Sequence, residues 1–213
     1  MSSRSRICVL IGDDHTVVRD GLAAILGLQP DMKVVAEASN GEEACALFEK
    51  HKPDIMLLDL RMPKKDGLET VKTIRAKRPD ARIIILTTYG GDEDIFRSLK
   101  AGAKGYLLKD APRQQILEAI RTVHAGCQYI PANIASKAAE HALKPQVTTR
   151  EVEVLRHMAR GASNKEIGAA LFVSEGTVKT HVKSILAKLE AVSRTEAVTI
   201  AARRGMIHEG EIS

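Results

Sequence analysis

Asp13 with Asp14, Asp59, and Lys109 each stand at the C-terminal end of a different short apolar run: Ile7-Cys8-Val9-Leu10-Ile11, Ile55-Met56-Leu57-Leu58 and Gly105-Tyr106-Leu107-Leu108. Continuous apolar runs bounded by helical stretches read as strands of a parallel sheet covered on both faces. Such sheets bind ligands in the crevice outside the carboxyl ends of their strands. Carboxylates brought together there raise one another's pKa unless a cation compensates them. A hard divalent cation is the natural partner, and Mg2+ takes one or two carboxylates together with waters and phosphate oxygens. The residue types and their placement point to a site for a phosphoryl group.

The elements that must position these residues follow from periodicity. Between residues 7 and 125 the pattern predicts strands near 7–11, 33–38, 54–59, 82–87 and 105–108. Helices are expected near 16–28, 41–51, 67–77, 92–101 and 112–125. Strand-then-helix repeats imply right-handed crossovers and an α/β doubly wound sheet. With five parallel strands the flavodoxin-like order 2-1-3-4-5 is expected, with its switch point between the first and third strands. Asp13-Asp14 follow the first of these and Asp59 the third, so topology and acidic residues lead to the same crevice. Taken singly, Asp13 or Asp14 could instead cap the first helix, and Lys109 could be an ordinary solvated lysine.

After Gly126 the alternation stops. Residues 126–147 read as a linker, with Pro131 and Pro145 around an Ala-rich helical piece, Ala132–Leu143. Beyond it only helix signals remain. Thr148-x-x-Glu151, Ser163-x-x-Glu166 and Ser193-x-x-Glu196 match the capping box, and Ser174 can cap a further helix. An all-α domain over 148–213 with helices near 149–160, 164–171, 175–189 and 194–204 is expected. The turn Phe172-Val173-Ser174 between the second and third fits a helix-turn-helix. On 175–189, Val178, Val182, Ile185 and Leu189 form one apolar stripe, while Gly176, Lys179, Thr180 and Lys183 share the other side. Such a face is either a solvated surface or one that enters a DNA major groove.

Bulk properties set the limits. Aromatic residues are 3% with no Trp, so the cores must rest on Ile, Leu, Val and Ala. The net charge of +5 is spread evenly: residues 1–125 carry 20 basic and 18 acidic side chains, and residues 148–213 carry 10 and 8. A nucleic-acid argument must therefore come from placement rather than total charge. Cys8, Cys45 and Cys127 have no metal-ligand spacing, which fits a reduced, cytoplasmic protein. No apolar stretch approaches the ~18 residues of a membrane span, and the expectation is a soluble protein without a membrane partner.

At this point the chain resembles bacterial two-component response regulators, and its C-terminal part resembles the NarL/FixJ (LuxR-type helix-turn-helix) output domain. The receiver motifs stand as Asp13-Asp14, Asp59-Leu60-Arg61-Met62-Pro63-Lys64-Lys65-Asp66-Gly67, Thr87 and Lys109. The resemblance implies a receiver over 1–125 and a DNA-binding domain over 148–213. It makes Asp59 the phosphoacceptor, with Asp14, Asp59 and the Arg61 backbone carbonyl on Mg2+ and Asp13 acting through water. Lys109 and Thr87 would hold phosphoryl oxygens, and Thr87 with Tyr106 would form the switch, Tyr106 repacking into vacated space. Lys179, Thr180 and Lys183 occupy base-contacting positions. Lys188, Asn164 and Lys165 are candidates for the DNA backbone, while His181 reads as a packing or helix-surface residue. The implied partners are double-stranded DNA, a cognate sensor histidine kinase, and a second copy of the chain when phosphorylated or DNA-bound. Ala197, Val198, Ala201 and Ala202 on the last helix could serve a dimer interface or packing within their own domain.

Asp110 follows Lys109 where many receivers have a proline with a cis peptide, so that isomer is open. Gly168 stands where the family usually has Ala, at roughly 0.5–1 kcal/mol of helix stability. Tyr89 is either an exposed loop aromatic or, with Arg61, a shield that keeps water from the aspartyl phosphate. A haloacid dehalogenase-type phosphatase also uses Asp, Thr, Lys and Mg2+, but it places a second Asp two residues after a nucleophile on the first strand, a spacing absent here. A helical domain that binds only protein is disfavoured by Lys179 and Lys183.

Overall fold

A computed structural model describes residues 6–88, 91–143, 146–204 and 206–207, with only the backbone of His141. The chain divides into two compact units, one of Met1–Gly90 with Arg97–Ala135 and the other of Gly91–Phe96 with Ser136–Ser213.

Along the chain, strands β1 (Ile7–Gly12), β2 (Met32–Ala38), β3 (Ile55–Leu58), β4 (Ile83–Thr87) and β5 (Gly105–Leu108) alternate with helices α1 (Thr16–Gly27), α2 (Gly41–His51), α3 (Gly67–Lys77), α4 (Asp92–Lys100) and α5 (Arg113–His124), which apart from the first residues of α4 all fall in the first unit. All strand pairs are parallel, and the order is β2-β1-β3-β4-β5. The expected topology is the observed one. β3 and β4 are buried along their whole length, as both-face coverage requires. On one face Val9, Ile11, Leu57, Ile84, Leu86 and Leu107 pack with Leu22 and Leu26 of α1 and Ile116, Ile120 and Val123 of α5. Strand side chains alternate between faces, and Leu10, Met56, Leu58, Ile83 and Ile85, each at 0% exposure, fill the other.

Register carries the site residues into place. Gly12 pairs with Leu58 and Thr87 with Leu108. One step further, the Asp59 N–H donates to the Gly12 carbonyl at 2.8 Å and the Lys109 N–H to the Thr87 carbonyl at 2.8 Å. Asp13 thus lies beside Asp59, and Lys109 beside Thr87, at the carboxyl ends of the strands. Gly67 opens α3 against this edge, where a Cβ would overlap the Asp59 carbonyl oxygen.

The stretch after α5 does more than link. The Tyr129 N–H donates to the Lys104 carbonyl at 2.9 Å and its carbonyl accepts from the Tyr106 N–H at 3.1 Å, a parallel bridge on the open edge of β5. α6 (Ala132–Leu143) follows, as the Ala-rich segment predicts.

The helical unit holds α7 (Thr149–Ala159), α8 (Asn164–Leu171), α9 (Glu175–Leu189) and α10 (Arg194–Arg203). Thr148 and Ser163 form complete capping boxes with Glu151 and Glu166. At Ser193 the box is only half formed: its hydroxyl accepts from the Glu196 N–H, but Glu196 Oε2 accepts from the Val192 N–H instead. The α9 stripe Val178, Ile185 and Leu189 is buried with Val154, Leu155, Met158 and Ile167, and Val182 packs at its margin. Ala197 and Ala201 are fully buried in that same core, so this face of α10 serves packing within its own unit. Phe172 turns the chain between α8 and α9 with a left-handed φ of 55°. Gly168 has a steric reason, because a Cβ there would lie 2.8 Å from the Val173 carbonyl oxygen.

Candidate phosphoacceptor site and nucleic-acid face

Asp59 is 3% exposed and Asp13 2%. Lys109 Nζ bridges them, 2.7 Å from Asp13 Oδ2 and 2.8 Å from Asp59 Oδ2, with its own side chain 8% exposed. The solvated-lysine alternative does not hold. Nor do Asp13 and Asp14 cap α1: its N-cap is His15, with no side-chain cap bond. Asp13 Oδ1 accepts instead from the His15 N–H at 2.9 Å, and Asp14 Oδ1 lies 2.8 Å from His15 Nδ1. The Arg61 N–H donates to Asp59 Oδ1 at 3.2 Å, folding the loop after β3 back over the carboxylate. Thr87 ends β4 almost fully buried.

Electrostatics follow from this crowding. Burial pushes the Asp59 carboxyl above the usual carboxylate range, and the bond and charge of Lys109 pull down without overcoming it. For Lys109, burial alone would lower the ammonium, but its bonds to Asp13 and Asp59 outweigh that and hold it above the usual lysine value. Ligand atoms of Asp13, Asp14, His15 and Asp59 all lie within 4.8 Å of one another. Three carboxylates served by one ammonium form an acidic pocket suited to a divalent cation.

Arg19 is a residue that sequence reasoning missed. It donates from Nη1 to the Asp13 carbonyl at 2.7 Å and from Nη2 to Thr16 Oγ1 at 3.2 Å, and its Nε lies 3.8 Å from Glu37 Oε2. It staples the loop that presents Asp13 and Asp14. Tyr106 is fully buried beside the end of the sheet. The described residues contain no cis peptide, so Lys109–Asp110 is trans. Tyr89 lies outside the described residues.

Two family models match the chain: the response regulator receiver domain over residues 9–121, and bacterial regulatory proteins of the luxR family over residues 145–201. The chain belongs to the response regulator family. It is 42% identical to the uncharacterized transcriptional regulatory protein YhcZ of Bacillus subtilis over 214 residues, covering 96% of this chain and 99% of that one. It is 39% identical to the nitrate/nitrite response regulator protein NarL of Escherichia coli over 206 residues, covering 92% of this chain and 95% of that one. The crystal structure of the response regulator ChrA from a heme-sensing two-component system superposes with a TM-score of 0.57 at 37% identity, covering 95% of this chain and 100% of that one. This response regulator is a transcriptional regulator with a receiver and a LuxR-type DNA-binding domain, and not an enzyme. No helix among the described residues is long and apolar enough to cross a membrane.

In the response regulator's helical unit, Lys179, Thr180, Lys183 and Lys165 are exposed. Lys179 Nζ pairs with Glu175 Oε1 at 2.8 Å, and Thr180 Oγ1 donates to the Gly176 carbonyl at 3.1 Å. Asn164 Oδ1 accepts from Arg194 Nη1 at 3.1 Å, while Arg194 Nη2 donates to the Ala162 carbonyl at 2.6 Å. Arg194 therefore fixes the first turn of α8. Lys188 is not free: its Nζ lies 2.7 Å from Glu151 Oε2.

Proposed function

We propose that Asp59 accepts a phosphoryl group from a cognate sensor histidine kinase or a small phosphodonor, and that this controls dimerisation and DNA reading by the α9 face. The observation that supports it best is the Lys109 bridge between two buried carboxylates at the switch point of the sheet. Asp59 attacks phosphorus, an oxygen–phosphorus bond forms, and the bond to the donor's leaving group breaks. Asp14, Asp59 and the Arg61 carbonyl would hold Mg2+, with Asp13 acting through water, and the ion would supply neutralisation of the incoming charge. Lys109 exchanges its Asp59 contact for a phosphoryl oxygen, as a compact point charge. The Thr87 hydroxyl donates to another, drawing in the end of β4 and holding Tyr106 in its buried position. A local charge change of this kind biases a two-state element. A cytoplasmic location fits a kinase-fed regulator.

Arg19→Ala tests the loop staple. Groups that orient metal ligands typically matter tenfold or more in affinity, so the variant should bind Mg2+ about tenfold more weakly by calorimetry. Equal binding would mean that the staple does not matter to the site, and tighter binding that the guanidinium acts chiefly as a nearby positive charge.

On DNA, Lys179, Thr180 and Lys183 contact base edges, and Lys165 with the Asn164 amide group contacts phosphate at the N-terminus of α8. Lys179 must release Glu175 to do so, at little cost for an exposed pair. Two copies are needed for tight binding, on half-sites about 10–10.5 bp apart or a multiple of that. Duplexes selected from a random pool provide the test. Lys183→Ala should lose ~1–3 kcal/mol on the selected sequence and relax preference at one position. A variant that selects the same sequence and only shifts the salt dependence would show that the helix anchors rather than reads.

A further inference from the structure

Glu151 is the third residue of α7 and one of the few charged side chains that are buried, at 3% exposure. Its Oε2 accepts from the Thr148 N–H at 2.7 Å and the Thr148 hydroxyl at 2.9 Å, which the capping box explains. The same carboxylate does two further things. Oε1 accepts from Ser184 Oγ at 2.6 Å, and Oε2 accepts from Lys188 Nζ at 2.7 Å. Ser184 and Lys188 lie one turn apart on α9, so one buried carboxylate grips the DNA-facing helix at two successive turns.

We infer that Glu151 is a positioning residue for DNA reading, setting the rotation of α9 through Ser184 and Lys188, and that Lys188 is consequently not a DNA phosphate contact. This rests on α9 being the reading helix. The apolar stripe alone leaves rotation loosely specified, because dispersion and burial are non-directional. Hydrogen bonds to a charged acceptor are directional and strong. A rotation of about 20° at the outer radius of a helix moves a side-chain tip roughly 2 Å. That distance breaks a hydrogen bond from Lys183 to a base edge while leaving the helix folded and its charge near the backbone. Glu151 thus governs specificity more than affinity. Lys188 keeps 22% side-chain exposure, but its ammonium is spent on Glu151.

The full-length chain with acetyl phosphate and Mg2+ is titrated with the duplex pool enriched by the wild type and with random duplex of equal length. Glu151→Gln and the milder Ser184→Ala should each lower the ratio of the two affinities about tenfold, with random-duplex affinity and its salt slope unchanged. Lys188→Met should lower the ratio in the same way, and Lys188→Arg, which keeps the ion pair, should restore it. Amide spectra of each variant identify any that fails to fold, and Ser184→Ala then decides. An unchanged ratio in Ser184→Ala overturns the inference. So does a Lys188→Met salt slope reduced by about 0.9, the signature of one lost phosphate contact. If the wild type itself binds both pools alike, the DNA-reading assignment of α9 fails instead, which is a separate result.

Discussion

Asp59→Asn should abolish incorporation of acid-stable, base-labile phosphate from acetyl phosphate, while Asp13→Asn and Asp14→Asn should only slow it. All three carboxylates lie in the same pocket, so the distinction has to come from geometry. Asp13 is bound on one oxygen by the His15 N–H and on the other by Lys109. Asp14 sits at the rim, 33% exposed and paired to His15. Asp59 follows the third of five strands, between the acidic pair that follows β1 and Thr87 at the end of β4; Lys109 holds its Oδ2 and only the longer 3.2 Å bond from the Arg61 N–H holds its Oδ1. Asparagine preserves shape and leaves no anion to attack phosphorus. The chain should stay folded, since the change removes one of two buried carboxylates that share a single ammonium. Mass spectrometry of the treated proteins separates the outcomes. Phosphate still attached to the Asp59→Asn variant at wild-type level would move the acceptor to another carboxylate.

How far the sequence reaches is clearest at particular residues. β3 and β4 could be read because full burial demands unbroken apolar runs, and their order followed from the repeating strand-helix alternation. Asp59 and Lys109 could be placed because each ends such a run. The helix starts of the C-terminal unit were legible from side chains that satisfy backbone N–H groups locally. Interactions that depend on how the chain folds back on itself left no such mark. Arg19 lies on an amphipathic helix, and nothing in its spacing reveals that it reaches back to the Asp13 carbonyl. Tyr129 pairs with the edge of β5 through backbone atoms alone, which no side-chain pattern encodes. Lys188 shows the same limit from the other side. As a lysine on the flank of a helix it reads as a phosphate candidate, and nothing in its spacing reveals the carboxylate 37 residues away in sequence that pairs with it.

That carboxylate gives the helical unit a defined acid limb. Burial would by itself raise the Glu151 pKa, but bonds from Lys188, Ser184 and Thr148 outweigh it and bring it from 4.5 to about 2. A carboxylate whose folded pKa is depressed stabilises the fold above its unfolded value and loses that contribution as pH falls toward the folded one. At about 1.4 kcal/mol per unit the shift corresponds to about 3 kcal/mol. The contribution should therefore be complete above pH 4.5 and disappear between there and about pH 2. Other carboxylates in the chain are shifted too, so the useful quantity is the difference between wild type and Glu151→Gln. All three tyrosines precede Ser136 and there is no tryptophan, which leaves this unit without a tyrosine or tryptophan reporter. Urea titrations followed by amide resonances of α7 to α10 supply one. The wild type should exceed the variant by a constant margin from pH 7 to about 5, and the margin should shrink steadily below pH 4.5. A margin independent of pH down to 3 would mean that Glu151 acts through shape and neutral hydrogen bonds, and that its ion pair with Lys188 contributes nothing to holding α9.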